Sequence, residues 1–167
     1  MSTRALKLQS TTSVNLQQGL AAVEFAIVLP LILLMALAIT ELGRGLYQYN
    51  TLSKAVHDGA RYLSDRAVNN LGVVDITDYK AAQTRSLVMC GTLAGGCEGD
   101  ELLKNFSSRG SVTVTPETII MTDGETADFI KVSATYTFDP LFEGLSALGY
   151  SMVPDFTATA VERALKI

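Results

Sequence analysis

From Leu20 to Thr40 the chain carries one charged residue, Glu24, and is otherwise almost wholly apolar. A helix of that length rises about 30 Å, enough to cross the hydrocarbon core of a bilayer. The segment therefore predicts a membrane-spanning helix over about 20–42. The residues before it are polar and include Arg4 and Lys7 but no acid, whereas Glu41 and Arg44 offset each other just after it. By the positive-inside rule the N-terminus faces the cytoplasm and the remainder lies outside it.

Two readings of the apolar segment compete. Ala36-Leu37-Ala38 fits a secretory cleavage site, and a cut there releases a soluble protein beginning at Ile39. Against it stand the long polar region before the run, the glutamate at its start, and an apolar helical pattern that continues past the cut. The second reading turns on Glu24. A carboxylate at the edge of a membrane helix is costly and marks a functional position unless it merely snorkels to the interface. It lies in Gly19-Leu20-Ala21-Ala22-Val23-Glu24-Phe25, a G-x-x-x-x-E-F pattern behind a basic leader. This pattern resembles the prepilin peptidase site of type IV pilins, in which the cut follows the glycine. A cut after Gly19 gives Leu20 a new ammonium group one helical turn from Glu24 and on the same face. The helix dipole favours a carboxylate there. Pairing the two charges within or between chains would set axial register, because either charge left alone in a dry bundle is expensive.

The resemblance extends further. The run Gly19–Leu34, with its VEFA-xxxP pattern, then Glu41-Leu42-Gly43-Arg44, then Gly59-Ala60-Arg61-Tyr62, is similar to the TadE-like family, with TadF-like members alike at this level. These are minor pilins, or pseudopilins, of the tight-adherence (Tad) pilus, and the likeness covers about residues 18–66. It implies a single-pass protein of the bacterial inner membrane with a periplasmic C-terminal domain. It also implies processing between Gly19 and Leu20 by a prepilin peptidase. The implied partners are other Tad pilin-like subunits and the pilus assembly machinery, in adhesion and biofilm formation.

Beyond the membrane the helix is expected to continue to about residue 66, since Leu42, Leu46, Tyr49, Leu52, Val56, Ala60 and Leu63 recur at three- and four-residue steps. Pro30 is expected to kink it, and Gly43, Gly45 and Gly59 to weaken it by about 1 kcal/mol each relative to Ala. His57 and Asp58 read as its solvated face. A second helix is expected over about Thr77–Met89 and a short one through Asp100–Asn105. From Ser111 the period becomes two. Val112 and Val114 begin one strand, and Thr122-Asp123-Gly124-Glu125 supplies a turn. Ile130, Val132, Ala134, Tyr136 and Phe138 form one face of the next strand. Leu141–Leu148 reads as a helical turn or two, and Phe156, Ala158 and Ala160 as a last strand. The fold class is α+β: leader 1–19, long helix 20–66, and an extracytoplasmic domain 67–167 with a small antiparallel sheet, the pilin plan in outline.

Cys90 and Cys97 are the two cysteines. They are either two free thiols or, in an oxidising compartment, a disulfide closing a short loop and contributing roughly 2–3 kcal/mol. The net charge of −4 comes with no basic run, so nucleic-acid binding is not expected. With His57 as the one histidine and no zinc-site spacing, neither a metal nor a cofactor is expected. Glu98, Asp100 and Glu101 read as solvated carboxylates, and no nucleophile, phosphate-binding or dinucleotide motif appears, so an enzyme is not expected either. The remaining alternative to a processed pilin-like subunit is an uncleaved, membrane-anchored periplasmic adaptor or binding module.

Overall fold

The computed structural model describes residues 12–69, 73–94, 97, 100–122, 124–140 and 153–165, with side chains from Gly19 onward. The element order is α1 (Thr12–Ser64), α2 (Asp78–Cys90), α3 (Phe106–Arg109), β1 (Gly110–Ile120), β2 (Thr126–Thr137) and β3 (Asp155–Arg163). The chain divides into two compact units, Met1–Leu42 and Gly43–Ile167. The second begins well before residue 67, because α1 from Gln48 onward supplies buried residues to its core. Helix α1 also begins earlier than Leu20, and it is helical without a break through Pro30, Gly43 and Gly45.

In the second unit the three strands form an antiparallel sheet of order β1-β2-β3. Alternation fixes its faces: Ile130, Val132, Ala134 and Tyr136 of β2 are buried, as are Val112 of β1 and Ala158 and Ala160 of β3. Leu52, Val56, Ala60 and Leu63 of α1 and Val88 of α2 join them in one core. The opposite face of β2 carries Lys131, Ser133, Thr135 and Thr137. Their hydroxyls bond to neighbouring strands, Ser133 to Thr159 at 2.9 Å and Thr135 to Ser111 at 2.8 Å. Gly124 has φ 85°, so a residue without Cβ closes the β1–β2 turn; Asp123 lies outside the described residues.

Helix α2 starts where Thr77 caps it, its side chain accepting from the Lys80 amide at 3.4 Å. It ends where Gly91, at φ 72°, adopts a left-handed cap. Two expectations are corrected. Residues 102–105 form bends and turns, and the short helix is α3, placed later because Phe106 (fully buried) packs edge-on against Tyr136 at 5.6 Å. The apolar stripe of α1 also splits. Leu52, Val56, Ala60 and Leu63 are buried, but Leu42 and Leu46 are exposed, and Tyr49 is partly covered by the Phe156 ring, 6.0 Å away between centroids. At about 100° per residue Leu42 and Leu46 lie about 80° and 120° around the helix from Leu52. Gly45 and Gln48, nearer the line through Leu52, turn inward instead: Gln48 is buried, and Phe156 and Phe138 lie over Gly45. The helical turns expected over Leu141–Leu148 lie outside the described residues.

Candidate functional site

Every residue from Gly19 to Thr40 is exposed, and the helical surface around Glu24 is apolar. It includes Leu20, Phe25, Ile27, Leu31, Leu34 and Met35. Each such residue gains about 1.5–3 kcal/mol on leaving water, so this surface demands an apolar medium, lipid or other helices. Among the described residues one helix is long and apolar enough to cross a membrane, and its most apolar window has a mean hydropathy of 2.7. At the end of the segment the Thr40 hydroxyl is satisfied locally, donating to the Ala36 carbonyl at 2.9 Å.

Gly19, Leu20 and Glu24 all lie within α1, so Leu20 and Glu24 are one turn apart on one face. A Cβ at Gly19 would meet nothing within 4 Å, which leaves the Gly19–Leu20 peptide open to approach. Ala36-Leu37-Ala38 lies deep in the same helix.

Cys90 and Cys97 are joined by a disulfide. Cys90 is the last residue of α2, and beyond Cys97 the Leu102 N–H donates to the Met89 carbonyl at 2.8 Å, which ties Leu102 to the end of α2.

A cluster that sequence reading missed lies in the second unit. Asp139, just past β2, accepts from Lys104 Nζ at 3.1 Å and faces Arg109 Nη2 at 3.2 Å. Arg109 also donates to the Phe138 carbonyl at 3.2 Å. From α1, Arg44 donates to the Asp139 carbonyl at 3.2 Å and lies 5.8 Å from the centre of the Phe138 ring. The Lys104 hydrogen bond, aided by the nearby guanidinium of Arg109, holds the Asp139 carboxyl below the usual carboxylate range. Burial, with the Asp139 charge adding to it, pushes the Tyr136 phenol up, and its hydroxyl donates to the Lys104 carbonyl at 3.0 Å. This is a structural clamp: four chain segments meet at one carboxylate and its neighbouring carbonyls. The sequence signal that could have found it was Arg44 of ELGR, a cation that α1 turns toward its own domain.

Glycine serves a different purpose in the Gly59-Ala60-Arg61-Tyr62 stretch. A Cβ at Gly59 would lie 2.5 Å from Val88 Cγ2 and 3.4 Å from Thr84 Cγ2, so α1 and α2 touch backbone to side chain there. Next to that contact the Tyr62 hydroxyl donates to Gln83 Oε1 at 2.8 Å, and Arg66 covers the Tyr62 ring at 4.4 Å from its centre.

Compared with known proteins, the family model described as TadE-like protein matches residues 19–61, which include Gly19, Glu24, Arg44 and Gly59. No curated protein and no solved structure matches the chain.

Proposed function

We propose that this chain, TadE-like over residues 19–61, is a minor pilin-like subunit of a Tad-type pilus that is cut between Gly19 and Leu20 and then acts by assembly. The family is associated with the Tad pilus and is of a structural, non-enzymatic kind. The observation that carries the reading is the uncovered apolar helix with a single carboxylate, Glu24, one turn from the bond in question. In this account α1 anchors the chain in the bacterial inner membrane, with the N-terminus cytoplasmic and the residues beyond the membrane helix periplasmic. The bonded pair Cys90–Cys97 supports an oxidising compartment for the latter.

Once the leader is gone, the Leu20 ammonium and the Glu24 carboxylate share a helix face. In a low-dielectric bundle they stabilise only as a pair, because each costs several kcal/mol to desolvate alone. Glu24→Ala should therefore leave a protein that is inserted and largely cut, yet fails to crosslink to or co-purify with other pilin-like subunits and does not support piliation. Glu24→Gln should show a milder loss, since it keeps the shape and removes the charge. Normal assembly of Glu24→Ala would reduce Glu24 to a snorkelling interface residue.

One observation favours the runner-up, an uncleaved membrane-anchored adaptor. Helix α1 is continuous from Thr12 across Gly19 and Leu20, and a peptidase that binds extended backbone must first unwind that turn. Glycine eases the unwinding, being about 1 kcal/mol poorer than alanine in a helix.

A further inference from the structure

The outward face of the sheet changes character along its length. Pairing registers set its rungs: Ser111, Thr135 and Thr157 form one, and Thr113, Ser133 and Thr159 the next. Then come Thr115, Lys131 and Val161, and after them Glu117, Phe129 and Arg163. The first two rungs are hydroxyls, with cross-strand bonds from Ser111 to Thr135 and from Ser133 to Thr159. The last two are different. Phe129 is half-buried at the centre, with Val161 (46% exposed) on β3 and Ile119 (40% exposed) at the end of β1. An apolar centre bordered by charge is the anatomy of a contact surface. Glu117 on one outer strand, Arg163 on the other and Lys131 between them make no ion pair among the described residues, where Lys104 and Arg109 both pair with Asp139.

We infer that this end of the sheet face docks a second copy of the same chain, Glu117 of each copy meeting Arg163 of the other. The charge order carries the choice of occupant. A two-fold axis running along β2, in the plane between the two faces, lays β1 of one copy over β3 of the other. The rung Glu117, Phe129, Arg163 is then its own complement: two acid–guanidinium pairs flank a Phe129–Phe129 contact. Arg is suited to such a pair by its planar fork. Lys131 falls at the axis one rung away, where its flexible stem carries the ammonium out to the rim. The hydroxyl rungs have no such polarity across the strands, so the pairing is confined to one end of the face. The contact goes beyond the proposed function and is the same for a cut or an uncut chain, so its failure leaves the processing result untouched.

The test is site-specific crosslinking of the full-length protein in membranes. Lys131→Cys places one thiol at the axis and should give a covalent homodimer under mild oxidation. Thr157→Cys, on a hydroxyl rung and off the axis, should not. In the Lys131→Cys background, Glu117→Arg alone and Arg163→Glu alone should each lower dimer yield at least about tenfold, because like charges then face each other. Co-expressing the two charge variants should restore it, since each reversed residue finds its opposite. All these positions are exposed, and retention of the Cys90–Cys97 bond reports that the domain still folds. No homodimer at Lys131→Cys, a crosslink to a different protein instead, or a yield insensitive to the charge reversals would overturn the inference.

Discussion

Gly59 of α1 and Val88 of α2 stand so close that a single added methyl at residue 59 would lie 2.5 Å from Val88 Cγ2. The neighbour is a β-branched side chain buried to 0% exposure, so it has little room to yield. Gly59→Ala should therefore destabilise the domain by about 1–3 kcal/mol, even though alanine is the better helix former by about 1 kcal/mol. Denaturant unfolding of the detergent-solubilised protein measures it. Val88→Ala should offset part of that loss, giving a double mutant more stable than the two single effects predict. Simple additivity would mean that the helices are not in contact at this point.

The Asp139 clamp predicts an acid-sensitive component of stability. A carboxyl whose folded pKa is lowered contributes fully above its unfolded value, and the contribution is lost as pH falls through the folded value. With an unfolded aspartate titrating at about pH 4, the loss should be confined to pH below that. Asp139→Asn should cost on the order of 1 kcal/mol at neutral pH, since Lys104 is well exposed and screened while Arg109 is less so. The wild-type advantage over Asp139→Asn should shrink to nothing in strong acid. An advantage that is constant across the acid range would assign the effect to shape instead of charge.

The disulfide predicts that neither Cys90 nor Cys97 reacts with a thiol reagent in denatured, unreduced protein, and that both react after reduction. Replacing both by serine should cost roughly 2–3 kcal/mol, felt chiefly in the short loop they close. Full labelling without reduction would remove the bridge and the support it lends to a periplasmic domain.

How far these features were legible in the sequence depended on how local they are. The strand β2 could be read directly, because Ile130 to Phe138 alternate with polar residues and every second one is buried. The helix long and apolar enough to cross a membrane could be read from its length and composition alone. The lower part of the α1 stripe misled: Leu42 and Leu46 are apolar at helical spacing yet exposed, while Phe138 and Phe156 lie over Gly45. Gln48 is buried with no hydrogen-bond partner for its Oε1 among the described residues, which no polarity pattern would suggest. The Asp139 clamp joins residues separated by up to 95 positions, so it exists only once the chain has folded. The placement of α3 was missed for the same reason, since it is Tyr136 on a distant strand that holds Phe106.

Whether the chain is cut as a pilin-like subunit is decided by the mass of its mature N-terminus, with Gly19→Val as the companion variant. The peptidase must approach backbone at Gly19, where the space beyond Cα is open and a branched side chain would intrude. The wild-type protein should begin at Leu20, and the Gly19→Val protein should keep its leader. A mature protein that begins at Met1 or at Ile39 would contradict this reading.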